Sequence, residues 1–360
     1  MNSKPPRMSA ITPTRQLQFT CRVCAESALG DVFAAREMMF GSRASFDYLR
    51  CGDCGCLQIL EVPNDLHRFY PSNYYSQQSR VEPTPMRGIK GWLARRFCKS
   101  LSLKPDALST AVLRAMLPTP GDFAEYGEYL QTARLVSSDD RILDVGCGAS
   151  PHRLAAMRRC GFTQVEGIDP FINTDSVYHG VPVHKCTIAE VTGIYGLVMF
   201  HHSLEHVPDP LTDLRNAARL LRPGGICLVR VPVMGTYFWR HFGTDWVELD
   251  APRHLYLLSL EAVGRLASRA GFRVRRTVFD SEPWELAGSL RYQCDLSISD
   301  VDPNVLSEAG AAQQRIEHTR IVEQLNRLGD AGRACFYLER LAVSPPLDQT
   351  LNTDLSRDPH

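Results

Sequence analysis

Residues 143–150 read LDVGCGAS, an apolar run that breaks into two glycines one residue apart. Ile142, Leu143 and Val145 have the side chains of a buried strand, and Gly146 and Gly148 let the chain turn tightly and bring bare backbone against a ligand. What the turn lacks narrows the ligand. A dinucleotide fingerprint needs a further glycine at position 151, where Pro151 stands, and a P-loop needs a closing Gly-Lys-Ser/Thr, which is missing. A phosphate cradle is therefore disfavoured. Asp144 lies inside the strand, two residues ahead of the first glycine. A carboxylate aimed into the turn is poor for a phosphate and suits an ammonium group.

Outward from this stretch, strand-like and helix-like runs alternate. RILDVG, QVEGID, VPVHKC, YGLVMF, GGICLVRVP and FRVRRTVFD read as strands; SPHRLAAMRRCG, the run from Pro210 to Leu221, and SLEAVGRLASRAG read as helices. Such alternation predicts an α/β, doubly wound sheet with helices on both faces. Ligands in that architecture sit at the carboxyl ends of the strands. The second strand ends in Asp169, twenty-five residues after Asp144, where an acid can accept both hydroxyls of a ribose. An ammonium site, close backbone approach and a ribose acid together describe S-adenosylmethionine (SAM).

With these residues in view, the chain resembles the class I SAM-dependent methyltransferases. The match is carried by Asp144-Val-Gly146-Cys147-Gly148, Asp169, YGLVMFHHSLEHVPDP and ARLLRPGGICLVRVP; Ser150 stands where a third glycine is common. It extends over roughly residues 123–280, with a last strand, ACFYLERLAV, at 334–343. The resemblance implies a Rossmann-like sheet of seven strands, the last antiparallel, and methyl transfer from SAM. It would place Asp144, Gly146, Cys147 and Gly148 at the methionine end of the cofactor and Asp169 at the ribose. Phe171 would pack on the adenine, with Thr187 and Ile188 at the adenine edge, and His201 and His202 would border the sulfonium. For Phe171 and Ile188, ordinary core packing is an equal alternative.

SAM carries its own electrophile, so alignment of acceptor, methyl and sulfur dominates the chemistry. A base is needed only when the acceptor is a hydroxyl or a carbon acid. Candidates are His202, Glu205 and His206 in HHSLEH, and Asp245, Asp250, Arg253 and His254 in DWVELDAPRHLYLLS. Histidine is suited by its pKa, and His254 or His206 is the favoured base. For Glu205 and His206, helix capping is the structural alternative.

Upstream, Cys21-x-x-Cys24 and Cys51-x-x-Cys54 are separated by twenty-six residues. Two such knuckles supply four thiolates to a closed, structural zinc site; Cys56 is a spare thiol that packs beside it. Tyr70, Tyr74 and Tyr75 in the exit YPSNYY are expected to cap this small core, with substrate contact as the minority alternative. Between Ile89 and Leu101 an apolar stripe (Ile89, Trp92, Leu93, Phe97, Leu101) faces away from a basic set that includes Arg87, Lys90, Arg95, Arg96, Lys99 and Lys104. This reads as a helix packed on the next domain, or, as the minority alternative, one touching anionic lipid.

WVELDAPRHL, the cysteine module and the YP-x-x-YY exit are similar to those of bacterial sugar C- and O-methyltransferases of nucleotide-sugar and polysaccharide pathways. That similarity implies a small polar acceptor: a sugar, or a nucleotide- or lipid-linked glycan. The expected layout is a disordered N-terminus (1–20), zinc-binding module (21–78), helical linker (79–122), SAM-binding core (123–280), acceptor-site insertion (281–333), last strand (334–343) and disordered tail (344–360). Trp284, Ser289, Arg291 and Tyr292 are the insertion's candidate substrate contacts; for Trp284 and Tyr292, core packing is an equal alternative.

Basic and acidic residues balance at 40 each, so no global field favours nucleic acid. The alternatives are an RNA methyltransferase using the zinc module, and a non-catalytic SAM-fold scaffold that binds a protein partner. The first twenty residues lack the apolar core of a secretory signal, and reduced thiols with metal ligation fit a cytoplasmic protein.

Overall fold

The computed structural model describes residues 12–70, 88–103, 107–116, 119–301 and 307–342. Tyr74, Tyr75, Arg87, Lys104 and the tail 344–360 lie outside that set. The chain begins with an antiparallel meander of β1 (Arg15–Thr20), β2 (Ser27–Arg36), β3 (Ser45–Cys51) and β4 (Leu57–Ile59). Residues 15–20, expected within a disordered N-terminus, form a strand because each pairs in register with β2, Arg15 with Val32 through Thr20 with Ser27.

Helices α1 (Gly88–Leu103), α2 (Leu108–Met116) and α3 (Gly121–Thr132) follow. The stripe predicted on α1 divides: Phe97 and Leu101 are buried, while Ile89 and Trp92 are exposed.

Then come β5 (Ile142–Val145), α4 (His152–Arg159), β6 (Val165–Ile168), β7 (Ser176–Tyr178), β8 (Val181–His184) and β9 (Tyr195–His201). After these the chain forms α5 (Pro210–Leu220), β10 (Leu221–Met234), α6 (Tyr237–Phe242), β11 (Tyr256–Ser259), α7 (Leu260–Arg269) and β12 (Phe272–Phe279). Helices α8 (Pro283–Gln293) and α9 (Glu308–Leu328) precede the closing strand β13 (Arg333–Arg340).

The expected seven strands lie in the order β8-β6-β5-β9-β10-β13-β12, parallel through β10. β13 is antiparallel to both its neighbours, as the resemblance implies. Along β5 and β9 successive side chains enter different cores. Leu143, Val145, Val198 and Phe200 pack on one face, and Ile142, Leu197 and Met199 on the other. This is the signature of a sheet covered on both sides. Asp209 caps α5 by accepting from the amides of Leu211 and Thr212, with Pro210 at the first helical position.

One feature went unread in the sequence. β10 is long enough to pair with β13 over Ile226–Pro232 and then with β11 at Val233 and Met234. β11 in turn pairs with β4. The cysteine-bearing meander is thereby stitched into the central sheet, beside the carboxyl end of β10.

Candidate active site

β5 delivers the chain into the glycine turn at the carboxyl edge of the sheet. Gly146 and Gly148 have φ of 73° and 67°, a region that side chains disfavour. A Cβ on Gly146 would stand 2.5 Å from the Cβ of Ser203, whose hydroxyl donates to the Val145 carbonyl. The turn borders a cavity of about 450 Å³ between the strand ends, the 247–254 loop and the start of α8.

Beneath the turn, Asp144 is fully buried. Its Oδ2 accepts from Arg153 at 3.2 Å, while its Oδ1 has no hydrogen-bond partner among the described residues, and neither has Arg153 Nε. Burial pushes the Asp144 carboxyl up, against the opposing pull of Arg153. An unmet acceptor and an unmet donor side by side, with Arg153 lining the cavity, match an ammonium and a carboxylate on one ligand. The residues present therefore fit the amino-acid end of SAM. Arg153 went unnoticed in the sequence, although its place in the first turn of α4, beside the strand end, is a usable signal.

Asp169 accepts from the amides of Gly148 and Phe171 at 3.0 and 2.8 Å, tying the turn to the next loop. Phe171 is 92% exposed, which removes the core alternative for it. Ile188 is buried, and Thr187 hydrogen-bonds Glu190. Cys147, His201 and His202 line the cavity; Asp144, Asp169, Phe171, Thr187 and Ile188 stand outside its lining.

Glu205 and His206 belong to a short 3-10 turn ahead of α5, whose cap is Asp209, so capping does not account for them. Hydrogen bonds fix the imidazole tautomers, because a carbonyl can only accept and a guanidinium can only donate. His254 Nδ1 donates to the Glu248 carbonyl at 2.7 Å and His206 Nδ1 to the Arg253 carbonyl at 2.9 Å. Each therefore presents a bare Nε2. Arg230 donates to His202 Nε2 at 2.6 Å, so His202 Nδ1 donates to Glu205 at 3.3 Å. With its lone pair engaged, His202 is poorly placed to take a proton. Burial lowers the pKa of all three, that of His206 to about 3, and raises that of Glu205. His254 lines the cavity in its neutral form, its Nε2 4.0 Å from Glu205 and from Asp250.

The N-terminal meander holds the loop that carries His254. Arg253 is fully buried and donates to Glu37 at 3.0 Å, to Asp250, and to the Phe69 carbonyl at 2.9 Å. Its guanidinium also lies over Phe40, and the Tyr48 hydroxyl donates to the His254 carbonyl at 2.8 Å. Burial works to raise the Asp250 pKa, but Arg253 outweighs it and keeps the carboxyl ionised. Asp245 pairs with Arg36. Of the insertion's candidates only Trp284 lines the cavity. Ser289 bonds Val247 and Glu285, Arg291 bonds the Ser297 and Asp300 carbonyls, and Tyr292 is buried. Glu248, Glu282, Arg230 and Arg333 complete the polar wall, and none of them was singled out from the sequence.

At the far side of β11, Cys21, Cys24, Cys51 and Cys54 are buried together. Sγ separations are 3.8 Å for Cys21–Cys54 and 3.9 Å for Cys24–Cys51. Zinc–thiolate bonds of about 2.3 Å give a tetrahedral edge of about 3.8 Å, so the four residues fit that ion. The Val23 amide and Gln58 side chain donate to Cys21 Sγ, as outer partners of a thiolate do.

A family model described as a methyltransferase domain matches residues 109–277. The ubiquinone biosynthesis O-methyltransferase of Xanthomonas oryzae pv. oryzae is 31% identical over 182 residues, covering 47% of this chain and 68% of the relative. That of Chromobacterium violaceum is 32% identical over 149 residues, covering 36% and 63%. A SAM-dependent methyltransferase structure from Archaeoglobus fulgidus covers 60% of this chain and 92% of its own, at 19% identity and a TM-score of 0.39.

Proposed function

The chain belongs to the SAM-dependent methyltransferases, and from that premise we propose that it methylates a hydroxyl of a small polar acceptor, a sugar or a nucleotide- or lipid-linked glycan. The observation that carries this reading is the cavity wall. Arg153, Arg230, Arg333, Glu248, Asp250 and Glu282 all line it, together with four histidines. Such a wall offers further hydrogen bonds to a hydroxyl-rich ligand, whereas an apolar acceptor would desolvate these charges and give no hydrogen bond in return.

SAM supplies the methyl group when bound. Arg153 and Asp144 would take its carboxylate and ammonium, Gly146 and Gly148 would leave room for its methionine end, and Asp169 would receive its ribose. His201 and His202, at the end of β9, would border the sulfonium. The acceptor hydroxyl would face His254, whose neutral imidazole belongs to the Glu205–His206–His254 cluster that receives the proton; the ionised Asp250 would steady the resulting charge. The four cysteines would hold zinc as a structural ion, keeping the meander folded against the loop of His254.

A second reading, a phenolic hydroxyl, draws support from the names of the ubiquinone-pathway relatives. Purified protein incubated with methyl-labelled SAM and either nucleotide sugars or catechols tests the two. Transfer to the sugars supports the first reading, and transfer to catechols alone replaces it with the second.

A further inference from the structure

Glu205 and His206 meet His254, which lines the cavity, in an arrangement that proton transfer alone leaves unexplained. Their ligand atoms lie within 4.8 Å of one another. Both imidazoles have their Nδ1–H committed to backbone carbonyls, Arg253 for His206 and Glu248 for His254. Both therefore turn lone pairs toward Glu205. Glu205 is fully buried, and its Oε2 has no hydrogen-bond partner among the described residues. Two imidazole lone pairs and the Glu205 carboxyl thus converge in a buried place, where a proton on Glu205 or a cation shared by all three offsets the cost.

The geometry points to a second metal site, in which His206 Nε2, His254 Nε2 and a Glu205 oxygen bind a divalent transition-metal ion. Two histidines and one carboxylate form a known catalytic-type donor set, distinct from the closed four-thiolate site. The outer partners have the form such sites use: carbonyls orient both rings, and His202 donates to Glu205 Oε1, leaving Oε2 without a partner among the described residues. Bonds of about 2.0–2.1 Å put tetrahedral ligand atoms about 3.3 Å apart, so the ring closes by about an ångström when an ion enters. Three protein ligands leave a coordination position open, and His254 also lines the cavity. The inference rests on reading this cluster as the place where the acceptor hydroxyl is held and changes how the proton leaves: the ion would occupy the two Nε2 lone pairs and polarise the hydroxyl oxygen, whose proton would pass to solvent in the cavity.

The test uses the full chain, stripped with a chelator and titrated with cobalt or zinc under reducing conditions. Two ions per chain are expected. One, bound by cysteine, gives thiolate-to-cobalt charge-transfer absorption; the other adds only weak visible bands. H206A/H254A should take up one ion with the charge-transfer signal intact. The conservative E205Q variant should fold and weaken the second ion roughly tenfold or more. A wild-type chain that binds a single ion, with the full charge-transfer signal, overturns the inference. So does a second ion bound equally well by E205Q and by H206A/H254A. Methyl transfer is assayed separately, so a metal-free but active enzyme sinks only the second site, and a two-metal protein that methylates no hydroxyl sinks only the proposed function.

Discussion

Asp144→Asn is the substitution that most directly reports on how the cofactor is held. The carboxylate is fully buried, one oxygen bonded to Arg153 and the other unmet. If that second oxygen answers the ammonium of SAM, the amide keeps the size and loses the charge. Hydrogen bonds to charged groups contribute about 1.5–3 kcal/mol, which corresponds to a loss of roughly ten- to a hundredfold in affinity. Calorimetry with S-adenosylhomocysteine, which has the amino-acid end, and with methylthioadenosine, which lacks it, separates this loss from a general loosening of the turn. The first ligand should weaken by that factor, and the second should change less than about twofold. Equal weakening of both, or no weakening of either, would refute the assignment.

Gly146→Ala, with its Cβ driven against Ser203 and a positive φ, should abolish measurable SAM binding and lower the melting temperature, read by calorimetry and thermal denaturation. Arg253→Met leaves Glu37 and Asp250 as buried, uncompensated acids, at a cost of about 3–5 kcal/mol in a urea titration; an effect below about 1 kcal/mol would show that the clamp is dispensable. Glu285 is held protonated by burial, its pKa raised to about 8, next to the Trp246 indole. Because its folded pKa exceeds its unfolded value, its contribution is fully present below about pH 4.5 and is lost as pH rises through 8. Glu285→Gln should flatten that loss, gaining up to a few kcal/mol on wild type by pH 9, roughly 1.4 kcal/mol per pH unit above the unfolded pKa; parallel stability curves would contradict it.

What the sequence made legible was local. The turn at Gly146 and Gly148, the acid before it, the alternation of strands and helices and the paired cysteines each declare themselves within a few neighbouring residues. The antiparallel β13 came from the resemblance, since an apolar strand does not announce its direction. The remainder depends on contacts far apart in the chain. The Arg253–Glu37 pair spans 216 residues, and the β4–β11 join rests on two register pairs, too few for a period to show. The histidine roles were illegible for another reason: which nitrogen carries the proton is set by carbonyls of Glu248 and Arg253 that the fold brings up, not by the HHSLEH motif. The insertion misled for a related cause. Arg291 looks like a substrate contact by residue type, but the surrounding loop uses it, and for Tyr292 the fold takes the core-packing alternative.

Methyl transfer from SAM to a small polar acceptor is read out by acceptor trapping. The purified protein is incubated with methyl-labelled SAM and a cell extract, which is then split into polar metabolites with lipid-linked glycans, and RNA. Label in the metabolite or glycan fraction, absent with the Gly146→Ala protein, is the predicted result. Label confined to RNA, or no transfer by a protein that binds SAM, would contradict it.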